Sequence, residues 1–366
     1  MDMAFSPGTA WPVIATVLLL RGPFAAFPAV ASVDAGDMLM MDKFLRWQAT
    51  HNRSYPTAEE RLRRFQVYRA NVEHIDATNR RGDLTYELGE NQFADLTWEE
   101  FRARYASSFH AGNRTGSVIT RTAGSSNRTG SDTGLWSSGG GDVDSLEAPP
   151  PPSVDWRAKG AVTPAGDQGD TCSSCWAFVT VATIESLHWI KKGKLVPLSV
   201  QQLVDCDKYD DGCNPGHYND AFDWVVENGG LTTEAEYPYK GVKGPCNGAK
   251  SGHHAASITG QAVVPPKDEL ALQRAVAGQP VGVSIETGEG MQFYKSGVYP
   301  GPCGTRLDHA VTVVGYGTDP SKGGKYWIVK NSWGKEWGEN GFIRMKRDLG
   351  GPGLCGIALD GAYPIM

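Results

Sequence analysis

The chain has 366 residues, of which 40% are apolar and 21% charged, enough apolar material to bury a core and too much for a wholly disordered chain. Lys and Arg number 35 against 41 Asp and Glu, a net charge of −6 that excludes the basic footprint of a nucleic-acid binder. No uninterrupted apolar run reaches the ~18 residues of a stable membrane span.

Residues 1–31 read as an export signal, with a short apolar core at Val13–Leu20 and a small-residue cleavage site at Ala29-Val30-Ala31, although Asp2 and Arg21 are atypical there. Export agrees with the cysteines: seven, all after residue 170, of which six can pair in an oxidising compartment. It also agrees with three Asn-x-Ser/Thr acceptor sites at Asn52, Asn113 and Asn127. Residues 37–106 lack Cys and read as mostly helical. Within them Glu60, Arg64, Tyr68, Asn71, Ile75 and Asn79 recur at spacings of three and four, which places all six on one helix face. A stripe mixing charge, amide and apolar groups suits docking onto another surface. Further on, Gly89, Asn91, Phe93 and Asp95 alternate, which predicts one side of an extended segment. Residues 107–149 are rich in Ser, Gly and Thr and read as a flexible linker, followed by a stiff run of prolines.

Residues 150–366 have globular composition. A helix is predicted to start at Ser173 or Ser174, either of which can cap it, and to stop at Gly193 after Lys191-Lys192. Ser199 to Gln202 resembles a capping box, Asp220–Asn228 reads as a helix stopped by Gly229, and Lys267–Ala277 as another. Strands are predicted at Val281–Ile285, Ala310–Gly315, Tyr326–Lys330 and Phe342–Lys346. Helices first and strands second predict an α+β fold in segregated halves, with a site at their boundary.

Cys175 falls at the predicted start of the first of these helices, where unpaired N–H groups and the helix dipole favour a thiolate. His309, just before a predicted strand, is a candidate general base, and Asn331, just after the next, can hold its imidazole in one tautomer under Trp333. The Cys175 N–H and the Gln168 amide are candidate donors to an oxyanion. No Cys/His spacing suits a tetrahedral metal site, so neither metal nor cofactor is expected.

The run Gln168 to Phe178, with His309 134 residues and Asn331 156 residues after Cys175, resembles the papain-like cysteine proteases. Gly212-Cys213-Asn214 with Gly216, Asp308-His309-Ala310 and Asn331-Ser332-Trp333-Gly334 resemble further motifs of that family, and the six-residue stripe and Gly89-Asn91-Phe93-Asp95 resemble its ERFNIN and GNFD propeptide motifs. The resemblance implies a helical and a barrel-like half with a cleft between, Cys175 as nucleophile, His309 as base, Asn331 as orienter and Gln168 as oxyanion donor. It implies an inhibitory propeptide lying in the cleft, and disulfides Cys172–Cys213, Cys206–Cys246 and Cys303–Cys355, which leave Cys175 free. Gly216, His217, Tyr218, Ser284, Leu307, Asp308, Ala310 and Asp360 are implied to contact substrate. The implied function is a cysteine endopeptidase made as a zymogen, monomeric, in the secretory pathway and then vacuole, lysosome or extracellular space. Its implied partners are peptide substrates, its own propeptide and cystatin-like inhibitors, with neither nucleic acid nor membrane. The alternative is a catalytically weak homologue that serves as a binding or storage protein. The chain ends Tyr363-Pro364-Ile365-Met366, not in an ER-retention tetrapeptide.

Three departures from the family pattern carry expectations. One extra residue near Asp170 and Thr171 sets Gln168 seven positions before Cys175 and threatens to displace its amide. Ser173 and Pro215 stand where the family has Gly, which restricts the backbone. Glu60 and Asp95 are expected to be paired, ionised carboxylates whose protonation releases the propeptide in acid. Asp360, where the family usually has a small or apolar residue, is expected to admit an Arg side chain to the substrate pocket beside Leu or Phe.

Overall fold

The computed structural model describes residues 35–106, 149–321 and 324–366. The signal, most of the linker and the acceptor sites Asn113 and Asn127 lie outside the described residues. Asn52 is exposed in a turn, with a positive φ.

The N-terminal unit is helical. α1 (Ala35–Thr50) packs on α2 (Ala58–Asn79) through Phe44, Trp47, Phe65, Tyr68 and Val72. Thr57 caps α2, and Thr97 and Glu100 form a reciprocal capping box at the start of α3 (Trp98–Tyr105). The six-residue stripe turns inward upon the unit itself. Asn71 Nδ2 donates to the carbonyls of Ala94 (2.8 Å) and Leu96 (2.9 Å), and Asn79 exchanges two hydrogen bonds with Leu88. Tyr68 Oη donates to Glu90 (2.8 Å), and Arg64 bridges Glu60, Glu100 and the Asp95 carbonyl. Of the six, Ile75 clusters with Phe293 of the following domain. The stripe therefore mainly holds residues 88–96 in place, and those residues share the docking with β1, α3 and Ile75.

Nor is that segment extended throughout: residues 92–95 form a turn, because the Asn91 side chain accepts the Phe93 N–H (3.0 Å) and the Asn91 carbonyl the Ala94 N–H. Asp95 is paired as expected, but more loosely than Glu60. Its carboxylate accepts from Tyr55 Oη (2.8 Å) and lies 4.0 Å from Arg53, while Glu60 is paired with Arg63 and Arg64.

The following domain has the two predicted halves. In the first, α4 (Cys175–Lys192) runs through the core among α5 (Val200–Cys206), α6 (Tyr218–Asn228) and the short α7 (Gly248–Ser251), packing on Leu203, Val204, Phe222 and Val225. Gly193 and Gly229 end α4 and α6 in left-handed conformation, as helix-stopping glycines do. Ser199 Oγ caps α5 by accepting the Gln202 N–H, but the Gln202 side chain binds Thr232 and Ser251 instead, so the box is half formed. Lys267 lies outside α8 (Glu269–Gly278), whose cap is Asp268.

In the second half β4 (Val281–Ile285), β6 (His309–Asp319), β7 (Gly324–Lys330) and β8 (Phe342–Lys346) match the predicted strands to within a few residues. They join β1 (Tyr86–Leu88), β3 (Gly260–Val264), β5 (Tyr294–Tyr299) and β9 (Gly361–Ile365) in one sheet of order β1-β5-β8-β7-β6-β4-β9-β3, with β2 (Val154–Asp155) also pairing with β6. β1 belongs to the N-terminal unit and extends the sheet as an antiparallel edge strand, Tyr86 opposite Gly297. Phe93, Phe101 and Tyr105 share one core cluster with Trp333 and Trp337. The N-terminal unit is thus joined to the domain by strand pairing and by a common core.

Candidate active site

The two halves meet where the helix start of one faces a strand start of the other. Cys175 is the first residue of α4, and α4 packs against β6, which begins at His309. No side chain caps α4. Ser173 bonds the Cys213 carbonyl through its N–H, and the Ser174 hydroxyl is engaged with Tyr239 Oη at 2.7 Å. The N–H groups of Ala177 and Phe178 go to the Ser174 carbonyl, while those of Cys175 and Trp176 lie beside the sulfur.

His309 Nε2 is 2.7 Å from Asn331 Oδ1, and the imidazole stacks on Trp333 at 4.8 Å between centroids. Asn331 Oδ1 also accepts the Ser332 N–H (2.8 Å), which fixes the amide oxygen toward the imidazole. His309 Nδ1 is buried and has no hydrogen-bond partner. An acceptor on Nε2 and an open Nδ1 make this imidazole able to take a proton at Nδ1.

Gln168 remains buried in spite of the extra residue. Its Oε1 accepts from Ser332 Oγ (2.7 Å), its N–H donates to the Ser332 carbonyl (2.9 Å), and its carbonyl accepts from Tyr239 Oη (2.9 Å). These contacts leave the amide NH2 as its donor end. The insertion is taken up outside, where Gly169 adopts φ +74° and Asp170 and Thr171 are exposed. Ser173 keeps a negative φ, so its side chain causes no strain. Pro215 is exposed, and the glycine that matters is Gly216, whose added Cβ would lie 2.6 Å from Asp210 Oδ1 and 2.8 Å from the Trp176 ring.

The structure forms the disulfides Cys172–Cys213, Cys206–Cys246 and Cys303–Cys355 and leaves Cys175 as a free, buried thiol. Of the residues expected to contact substrate, Tyr218, Ser284 and Asp360 share hydrogen bonds, His217 is 3.1 Å from Asp360, and Ala310 faces Ser284 across the β4–β6 ladder. Leu307 stands apart near Gly356, and Asp308 is engaged by the N-terminal unit. Among the described residues no group of three or more His, Cys, Asp or Glu could hold a metal ion.

The electrostatics differ from the expectation of a ready thiolate. Burial pushes the Cys175 thiol up to about 11; the Ala310, Trp176 and Cys175 N–H groups pull the other way and are outweighed. Burial likewise lowers His309 to about 4, against the Asn331 hydrogen bond and the Asp308 charge. Burial thus favours the neutral form of both groups.

The N-terminal unit contacts the neighbours of these groups, through residues that the sequence did not single out. Arg102 on α3 donates twice to Asp308 Oδ2 (2.9 and 3.1 Å), Gln92 donates to the Trp333 carbonyl (2.7 Å), and Phe101 packs edge-on against Trp333 at 5.0 Å. Arg104 lies 3.7 Å from Asp170. The capping-box spacing of Thr97 and Glu100 could have signalled α3, but nothing in the sequence links Arg102 to Asp308, 206 positions away.

Residues 150–365 match the model of the papain family cysteine proteases, and residues 44–101 that of the cathepsin propeptide inhibitor domain I29. The chain belongs to the papain family. It is 45% identical to the cysteine endopeptidase RepA of Oryza sativa subsp. japonica over 94% of this chain and 90% of that one. It is also 45% identical to the senescence-specific cysteine protease SAG12 of Arabidopsis thaliana, over 90% and 91%. Among solved structures, recombinant stem bromelain precursor superposes with TM-score 0.76 at 43% identity over 90% of this chain and 99% of that one. The proform of the ragweed pollen cysteine protease Amb a 11 gives 0.77 at 40% identity, over 89% and 94%. The chain is a cysteine endopeptidase with an inhibitory propeptide, and these relatives, each named a protease, lend no support to a binding or storage role.

Proposed function

We propose that Cys175 is the nucleophile, His309 its base and acid, Asn331 the residue that orients His309, and Gln168 with the Cys175 N–H the oxyanion donors. The observation that carries this reading is the His309–Asn331 hydrogen bond of 2.7 Å beneath Trp333, with Nδ1 unpartnered and Cys175 at the start of the helix that packs against β6. Removal of the propeptide admits water and relieves the burial that holds both groups neutral. The thiol proton then passes to His309 Nδ1, and the thiolate attacks the peptide carbonyl carbon. The Cys175 N–H and the Gln168 NH2 receive the developing oxyanion. The imidazolium protonates the leaving amine as the C–N bond breaks, leaving a thioester. Water, deprotonated by His309, attacks the thioester, and collapse of that intermediate returns the free thiol and a carboxylic acid.

In the same reading residues 1–31 direct export, residues 37–106 inhibit, residues 107–149 are cut during activation and residues 150–366 form the enzyme. The protein acts as a monomer in the vacuole, lysosome or extracellular space and meets cystatin-like inhibitors there. Gly216, His217, Tyr218, Ser284, Leu307, Asp308, Ala310 and Asp360 line the substrate cleft, and Asn52 is a glycosylation acceptor. The test is covalent labelling by an epoxide probe before and after cleavage of the linker. Labelling and peptide hydrolysis should appear together after cleavage and be absent from Cys175→Ser. Activated protein that hydrolyses peptide with Cys175 replaced, or that never labels, overturns the assignment.

A further inference from the structure

One charged pair in the cleft has no part in the steps above. His217, the residue that caps α6, reaches from the helical half to Asp360, which precedes β9 in the strand half; its Nε2 lies 3.1 Å from Asp360 Oδ2. The same oxygen accepts from Ser284 Oγ at 2.7 Å, and the Asp360 carbonyl accepts from Tyr218 Oη at 2.9 Å. The imidazole stacks on the Tyr218 ring at 5.0 Å. Its Nδ1 accepts the Asn219 N–H at 3.4 Å, so in the neutral ring the proton sits on Nε2 and points at Asp360.

The pair stands beside the reacting groups. Ser284 faces Ala310 in the β4–β6 ladder, one step from His309 opposite Ile285. Gly216, the neighbour of His217, is wedged against Trp176, the neighbour of Cys175. The side chains of His217 and Asp360 are 32% and 24% exposed even with the propeptide in place, so the pair is open to a substrate side chain. Among the described residues, the groups that hold it belong to residues 150–366.

We propose that His217 gates the specificity of this peptidase by pH, setting whether the Asp360 carboxylate is available to a guanidinium or ammonium side chain of the substrate. This rests on the reading of Cys175 and His309 as the reacting pair. With His217 protonated, the two charges cancel and the site favours a bulky uncharged side chain. With His217 neutral, Asp360 keeps a net charge that a cationic side chain can pair with. The charged groups facing His217 are Asp360 before β9, Asp220 within α6 and Asp210 in the loop after α5, whose Oδ1 accepts the His217 N–H at 2.8 Å. Burial lowers the imidazole, but these carboxylates outweigh it and raise it above its ordinary 6.5. Burial raises Asp360, but His217 and Ser284 hold it below the usual carboxylate range. Burial raises Asp210 to about 7, so near neutral pH the groups that titrate are His217 and its neighbour Asp210, not Asp360, and His217→Gln separates the two.

The experiment uses the activated protein and two peptide substrates that differ in having Arg or Leu at the side chain entering this site. The ratio of their kcat/KM values, Arg over Leu, is measured from pH 4.5 to 8.5. It should rise about tenfold as His217 loses its proton, the worth of one pKa unit of interaction between two charge states. In His217→Gln, which keeps an N–H donor without the charge, the ratio should be high and flat; in Asp360→Asn it should be low and flat. A ratio independent of pH in the unaltered protein, or a slope that survives His217→Gln, overturns the proposal. Failure of the unaltered protein to cleave either peptide would instead overturn the reading of the reacting pair.

Discussion

Truncating Arg102 should loosen the propeptide from the enzyme more than any other single change in its charged surface. Asp308 is 2% exposed, and its Oδ2 depends on two N–H groups of Arg102, while Oδ1 accepts the Thr287 N–H at 2.7 Å. Breaking a buried pair by removing one partner costs ~3–5 kcal/mol. Here 35% of the Arg102 side chain is exposed and Thr287 still serves the carboxylate, so Arg102→Ala should cost about 2 kcal/mol of propeptide docking. That equals a rise of about 30-fold in the open fraction of the precursor. The assay is the initial rate of epoxide labelling of Cys175 in intact precursor at neutral pH, with Arg63→Ala as a control, since Arg63 pairs with Glu60 and Glu100 inside the propeptide. Arg102→Ala should label about 30-fold faster than its parent and Arg63→Ala no more than a few-fold faster. Equal rates for Arg102→Ala and its parent would show that the aromatic contacts with Trp333 carry the docking and that the ion pair contributes nothing.

Acid release through Glu60 should begin at lower pH than its ionised state alone suggests. Hydrogen bonds from Arg63 and Arg64 hold Glu60 at about 2, from an ordinary 4.5, and Glu100 is also lowered because Arg64, Thr97 and Arg63 outweigh its burial. A depressed carboxylate stabilises above its unfolded value and loses that effect as pH falls through its folded one. Proteolytic cutting within residues 58–96 of a Cys175→Ala precursor should therefore change little from pH 7 to 4.5 and rise below that, and Glu60→Gln should blunt the rise. A steep rise between pH 7 and 5 that Glu60→Gln abolishes would contradict the assignment. Deleting Thr171 should leave kcat unchanged or lower, because Gln168 is already held by Ser332 and the insertion sits outside; an increase would mean that the insertion does displace the amide. Lys330→Met should destabilise the mature domain by ~3–5 kcal/mol, roughly 10 °C in Tm, and adding Glu185→Gln should recover much of the loss. The reason is that Lys330 donates to Thr163 (2.8 Å), which donates to buried Glu185 (2.6 Å), so losing Lys330 strands a carboxylate between the two halves.

Local chemistry was sufficient for much of the fold. The stop of α4 at Gly193, the cap at Ser199 and the strands β4, β6, β7 and β8 follow from capping residues, glycines and apolar period, all interactions within a few residues, whereas the expected Ser173 or Ser174 cap of α4 does not form. The residues proposed as the reacting pair and its orienter could be singled out as well, since each stands at the end of a predicted element. Four features could not be read that way. The strand β1 is three residues long and finds its partner β5 about 200 positions away, so no local period marks it. The GNFD segment turns because the Asn91 side chain captures a backbone N–H, which alternation cannot reveal. Asp360 was expected from the sequence as a carboxylate open to a substrate side chain, but the imidazole that meets it comes from the opposite half of the domain. Finally, the helix N-terminus correctly predicts the direction in which backbone dipoles pull Cys175, yet the protonation of Cys175 and His309 is decided by how much water reaches them. Desolvation depends on every distant segment packed nearby, and here those include the N-terminal unit, whose Phe93, Phe101 and Arg102 sit on Trp333 and Asp308 beside His309.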